Sequence, residues 1–195
     1  MQYKGKVVVI AGPSGVGKNS IIAGVIKKCP HCSEVVTATT RAPRAGECDG
    51  VDYFFMDDHE FDANISNGSI GEFRVHPILK VRYGTYLPDL TMRLRRGDVA
   101  FGDFDIDGVR FLKKHFNALA IFVLPPSFDV LKKRIHTRHT GMSEEELQKR
   151  LDYARHEIDI ESREYDYRIV NEEGKLDETV DMVVDILRRE GYIKE

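Results

Sequence analysis

Residues 12–20 read "GPSGVGKNS", between "KVVVIA" (6–11) and a helix-patterned run that closes at "IIAGVIKK" (21–28). The run before the glycines is short, apolar and β-branched, the mark of a strand buried on both faces. The run after them spaces Ile21, Ile22, Val25 and Ile26 at helical intervals. A strand, a Gly-rich turn and a helix in that order make a cradle for phosphate. Backbone N–H groups converge on an anion at the helix N-terminus, and glycines keep side chains out of its way. Lys18 adds a mobile positive charge for the outer phosphates. The stretch follows G-x-x-x-x-G-K up to Lys18 and then departs from it. Asn19 stands where Ser or Thr is usual, and the hydroxyl arrives one residue later, at Ser20.

Outward from the loop, the chain alternates strands and helices at both ends. Strands are expected at 34–40, 51–56, 118–124 and 167–171, and 99–108 reads as a strand leading into acids. Helices are expected at about 57–68, 87–97, 127–139, 143–164 and 175–191. Ser127 reads as a helix cap, and Ser143 with Glu146 as a capping box. This rhythm predicts an α/β fold with a parallel core sheet flanked by helices. Short strands and turns interrupt it over about 34–86, which reads as an inserted, mixed-β lobe. A second irregular piece, about 136–145, lies between charged helices and reads as a lid. The expected organisation is one domain over 1–195, with a core of 1–33, 87–135 and 146–195.

Composition narrows the functional classes. The chain has 195 residues, 42% hydrophobic and 31% charged, enough to bury a core unaided. A net charge of -3 offers no broad basic field for nucleic acid or for a membrane surface. No apolar run approaches a membrane span or a signal peptide, so the cytoplasm is the expected location. The three cysteines argue against a disulfide framework. Cys29 and Cys32 form "CPHC", but the motif follows a helix and precedes a strand, the wrong setting for a thioredoxin-like site. A zinc site would need a second ligand pair. The motif therefore reads as a helix end stopped by Pro30.

A second chemistry-bearing stretch is "TTRAPRAGECDGVDYFF" (39–55). Arg41 and Arg44 flank a proline-stiffened turn, and arginine forks suit phosphate oxygens. Together with "GPSGVGK", "YGT" (83–85), "DFDIDG" (103–108), "PPS" (125–127), "KKRIHTR" (132–138) and "YDYRIVN" (165–171), it resembles the guanylate kinases in order and spacing. The resemblance covers nearly the whole chain, and T-T-R-x-x-R-x-G-E is its most specific part.

The resemblance implies a kinase that uses ATP with Mg²⁺ to phosphorylate GMP. It implies ATP contacts at Gly12, Pro13, Ser14, Gly15, Val16, Gly17, Lys18, Asn19 and Ser20, at the lid arginines Arg134 and Arg138, and at Asn171 near the adenine. For GMP it implies Thr37, Arg41, Arg44, Tyr53, Tyr83, Thr85 and Asp105, with Glu72 reading the guanine edge. Lys18, Arg41, Arg138 and Arg150 are the implied charge-neutralising catalytic set, and Ser20 and Asp103 the candidate Mg²⁺ donors. Phosphoryl transfer suits such a set, because two highly charged ligands must be brought in line and neutralised. One segment departs from the family. "EFRVHPILKVRYGT" (72–85) stands where an "EWAxVxGNYYGT"-like run is usual; it is about two residues longer, lacks Trp and contains Pro77. Two alternatives follow from that departure and from Asn19: a kinase of this fold with another phosphorylated acceptor, and a non-catalytic interaction module. The sequence leaves the oligomeric state open.

Overall fold

The computed structural model describes residues 3–75, 80–138 and 142–194, with Arg138 described in its backbone alone. Pro77 and the middle of the expected lid lie outside the described residues.

Five parallel strands form the core sheet, in the order β2-β7-β1-β8-β9. They are β1 (Lys6–Ala11), β2 (Cys32–Glu34), β7 (Val99–Gly102), β8 (Leu119–Leu124) and β9 (Tyr167–Val170). Strand β1 is central, pairing β7 on one side and β8 on the other. Its residues Val7, Val8, Val9 and Ile10 are buried on both faces, which is why they read as one apolar run rather than an alternating one. On one face, α1 (Lys18–Lys28) and α7 (Leu176–Arg189) pack together. The two helices approach so closely that a Cβ on Gly24 would fall 2.5 Å from Val180 Cγ2. The other face is covered by α3 (Leu87–Arg96) and α4 (Ile106–Phe116). Ile21 and Ile22 are fully buried, each contributing about 1.5–3 kcal/mol by burial.

A second, four-stranded sheet has the order β4-β3-β6-β5. It comprises β3 (Ala38–Thr39), β4 (Phe54–Phe55), β5 (Ile70–Val75) and β6 (Arg82–Tyr86), with α2 (Asp58–Ser66) packed on it. It is mixed: β3 and β4 run parallel, while β6 runs antiparallel to both β3 and β5. Helix α2 opens with a full capping box between Asp57 and Glu60. Arg82 ties α2 to β6 through Asp58 and Asp62, lying over the Phe61 ring. Helices α5 (Phe128–Arg138) and α6 (Glu144–Asp159) complete the molecule, with their own small core around Leu131, Ile135, Leu147 and Leu151. No helix among the described residues is long and apolar enough to cross a membrane.

Several expectations need correction. The strand expected over 34–40 splits: Cys32–Glu34 joins the core sheet and Ala38–Thr39 the small one. The strand expected over 51–56 shrinks to Phe54–Phe55, because a turn held by Asp52 and Asp49 occupies the preceding residues. In 99–108, a strand leading into acids, the strand is Val99–Gly102, and the acids open a helix the sequence did not announce: α4 begins at Ile106, capped by Asp105. The long helix ends at Asp159 and continues only as a 3-10 turn, Glu161–Glu164. Ser143 caps α6 as expected, accepting from Glu146 N. The reciprocal half of that box is missing, because the Glu146 carboxylate turns to Arg150 instead.

Candidate active site

The loop after β1 is shaped by three glycines in the left-handed or extended positive-φ region: Gly12 (φ 141°), Gly15 (84°) and Gly17 (103°). Two of them also leave no room for a side chain. A Cβ on Gly12 would lie 2.4 Å from the Val123 carbonyl oxygen, and one on Gly17 would lie 2.6 Å from Asn171 Nδ2. The loop is braced from below. Buried Asn171 donates from Nδ2 to the Val16 carbonyl at 2.8 Å and accepts from Thr179 Oγ1 at 3.1 Å. Each end of its amide therefore has a protein partner. Its place in the fold is beneath the loop, as a strut.

Lys18 begins α1, and its ammonium reaches back to the Gly12 carbonyl at 2.6 Å. It lies 3.5 Å from Asp103 Oδ2, at the C-terminal end of the neighbouring strand β7. The protein mass around Asp103 pushes its carboxyl up from the ordinary range, and Lys18 opposes that push. Of the two residues after Lys18, Asn19 faces into a cleft beside Asp103. Ser20 is exposed and does not line it.

That cleft, about 170 Å³, separates the two sheets. Thr37, Tyr53, Glu72 and Tyr83 line its far wall, and Asp103 and Asp105 its near wall. Arg41 stands beside it, with its guanidinium 5.3 Å from the Tyr53 ring. The Tyr53 and Tyr83 rings meet edge to face at 5.8 Å. Arg41 is held by a bidentate pair to Glu47, at 2.8 and 2.9 Å. The same carboxylate accepts from the Arg44 backbone N–H at 2.7 Å. Hydrogen bonds from Arg41, then from Arg44, hold the Glu47 carboxyl below its ordinary value. The side chain of Arg44 projects from an exposed turn.

Glu72 and Thr85 face each other across β5 and β6, and the buried Thr85 hydroxyl donates to Glu72 Oε1 at 2.7 Å. Burial pushes the Glu72 carboxyl up, and the Thr85 hydrogen bond pulls the other way. The altered 72–85 run thus still delivers Glu72 to the cleft. Asp105 is more fully engaged than the resemblance implies. Its Oδ1 caps α4 by accepting from Gly108 N at 3.0 Å, and its Oδ2 lies 3.0 Å from Arg74 Nε.

Above the loop, α5 carries Arg134, whose Cβ would lie 3.5 Å from a Cβ on Gly15. Arg150, on α6, is half-buried and paired to Glu146 at 3.0 Å. Nothing is described of the Arg138 side chain.

Three residues of the site escaped the sequence reading. Glu47 lies inside the most specific motif, and its signal was its spacing, six residues after Arg41. Arg74 lies in the departing segment and lines the cleft. Glu157, on α6, is a partly buried carboxyl near the loop; burial pushes it up to about 7, with Lys18 acting in the opposite direction. In the sequence it looks like one more charge on a wet helix face.

Comparison with known proteins accords with this geometry. The guanylate kinase family model matches residues 4–190. A guanylate kinase from Thermotoga maritima is 39% identical over 189 residues, covering 96% of this chain and 88% of the relative. One from Rickettsia typhi is 37% identical over 174 residues, covering 88% of this chain and 86% of the relative. The crystal structure of guanylate kinase from Anaplasma phagocytophilum aligns with a TM-score of 0.73 at 29% identity, covering 97% of this chain and 87% of that one. A family model that matches nearly the whole chain, relatives at 37–39% identity and a guanylate kinase structure of the same fold show that this chain belongs to the guanylate kinase family, whose members phosphorylate GMP from ATP.

Proposed function

We propose that this chain transfers the γ-phosphoryl group of ATP to GMP with Mg²⁺, the small sheet and the α5–α6 region closing over the two nucleotides. One observation carries the reading. Asn19 and Asp103, beside the Gly-rich loop, line the same cleft as Thr37, Tyr53, Glu72 and Tyr83. A donor held on the loop and an acceptor held on the small sheet would therefore meet end to end.

Each side chain has a task that its setting suits. The N–H groups of residues 12–18 and the α1 N-terminus cradle the ATP phosphates. Lys18 leaves the Gly12 carbonyl for the outer phosphates. Arg134, Arg138 and Arg150 neutralise charge from the lid side. Arg41, Arg44, Tyr53 and Tyr83 bind the GMP phosphate, with Glu47 aiming Arg41. Glu72 accepts from guanine N1–H and N2–H₂, held by Thr85. Asn171 supports the loop from beneath, and its second N–H remains for the nucleotide.

The residues present fit Mg²⁺. Among the described residues no group of three or more His, Cys, Asp or Glu could hold a metal, which suits an ion that keeps waters and leans on substrate phosphates. Asp103 and Asn19 supply hard oxygen atoms at the cleft, and Ser20 a hydroxyl outside its lining. When bound, Mg²⁺ neutralises charge shared by the β- and γ-phosphates. Closure excludes water and so suppresses ATP hydrolysis. Cys29 and Cys32 are free and buried, which fits the reducing cytoplasm.

Steady-state kinetics of two variants test the assignment. Lys18→Ala should lower kcat roughly 100-fold, as loss of a charge-stabilising group does. Arg41→Ala should chiefly raise the KM for GMP. Turnover that survives removal of Mg²⁺, or an Arg41→Ala variant whose defect lies in the KM for ATP, would overturn the assigned roles.

A further inference from the structure

Arg74 has no part in the roles assigned so far, yet it lines the cleft two residues after Glu72 on β5. Side chains two apart on a strand share a face, so the carboxylate and the guanidinium stand side by side. Arg74 Nε rests on Asp105 Oδ2 at 3.0 Å, while the side chain keeps 45% of its exposure. Asp105 spends its other oxygen on the α4 cap. What Asp105 presents toward the cleft is therefore the cation seated on it. An arginine that gives Nε to a carboxylate keeps four N–H donors on its terminal nitrogens. The neighbouring Glu72, backed by Thr85, offers acceptor oxygens.

β5 thus presents acceptors and a donor fork next to each other. A planar base edge with N–H donors beside acceptors satisfies both. Guanine has this edge: N1–H and N2–H₂ on one side, O6 and N7 on the other. Arginine paired with O6 and N7 is the commonest specific protein contact to guanine in nucleic-acid complexes. We propose that Arg74 is a specificity-determining residue that donates to O6 and N7 of the acceptor base while Glu72 accepts from N1–H and N2–H₂. The inference rests on the reading of GMP as acceptor and adds to it the residue that reads the other half of the base. Adenine sets an amino group where guanine has O6, so Arg74 would meet donor with donor.

The alternative is that Arg74 only tethers β5 to α4 through Asp105. The two differ in what they discriminate. Loss of a tether weakens every acceptor alike; loss of a reading contact weakens only acceptors that carried the contacted atom. The test is kcat and KM of wild type and Arg74→Ala with GMP, 6-thio-GMP and 7-deaza-GMP, with circular dichroism to confirm folding. Wild type should prefer GMP to both analogues. Arg74→Ala should raise the KM for GMP about tenfold or more, leave kcat nearly unchanged, and largely erase that preference. A preference that persists in Arg74→Ala, or an unchanged KM for GMP, would overturn the inference while leaving GMP kinase activity intact. A wild type that does not turn over GMP would instead remove the reading on which it rests. Should Arg74→Ala fail to fold, Arg74→Lys keeps the charge without the planar fork, and the same narrowing of preference is expected.

Discussion

Glu157 shows how a side chain can carry a cost that the site tolerates. Burial pushes its carboxyl from an ordinary 4.5 up to about 7, with Glu161 and Asp103 adding to the push and Lys18 opposing it. The folded state then holds a proton that the unfolded chain gives up. Its contribution is fully present below about pH 4.5 and is lost as pH rises through about 7. Glu157→Gln keeps the shape and removes the titration. Urea unfolding should therefore find the variant more stable than wild type at pH 8, with the difference shrinking toward pH 5. An equal difference at both pH values would refute the assignment. Glu47 acts in the opposite sense, since its low-lying carboxylate is present to hold Arg41. Glu47→Gln should raise the KM for GMP several-fold with a smaller change in kcat, and should leave the KM for ATP unchanged. Neither acid was assigned a role from the sequence, because a carboxylate's partner is a matter of three dimensions. Lys18 stands out in the sequence because its motif imposes a backbone setting as well as a residue type, whereas the role expected of Arg41 comes from the resemblance.

At the scale of elements, the loop between β1 and α1 depends on β9 and α7. Asn171, just beyond β9, holds the Val16 carbonyl, and Thr179 on α7 holds Asn171. Asn171→Ala would strand the buried Val16 carbonyl, while the Thr179 hydroxyl keeps the Lys175 carbonyl, a cost of about 1–3 kcal/mol. The KM for ATP should rise with it, while acceptor binding is spared. Unfolding midpoints and the two KM values check this, and a variant with normal stability would contradict the strut. Helix α1 ends beside a second buried pair. Cys32 is pushed up to about 12 by burial and by Cys29, so it stays a thiol at neutral pH. Native protein should show one fast-reacting thiol, the exposed Cys48, with Cys29 and Cys32 reacting only on unfolding. The parallel strands and the flanking helices were legible as elements from their apolar periods. Helix α4 was not. Its start is hidden in "DFDIDG", where Asp105 both caps the helix and faces the cleft, so a single stretch serves two elements.

For the whole molecule, the central feature is that two sheets meet at one cleft. The core sheet brings the loop and Asp103 to it, and the small sheet brings Tyr53, Glu72 and Tyr83. The α/β core followed from strand–helix alternation alone. The small sheet was legible only as a break in rhythm, because its strands β3 and β4 are two residues each and owe their pairing to distant segments. Arg74 stayed hidden for the same reason: its neighbour Asp105 is 31 residues away. Function at this scale is a phosphoryl transfer from one nucleotide to another, for which the proposed assignment needs both sheets. The most direct measurement is ADP release by the purified protein with ATP and Mg²⁺, comparing GMP with AMP, UMP and CMP as acceptor. The account predicts rapid release with GMP and little with the others. Equal release with every acceptor, or none with GMP, would contradict it.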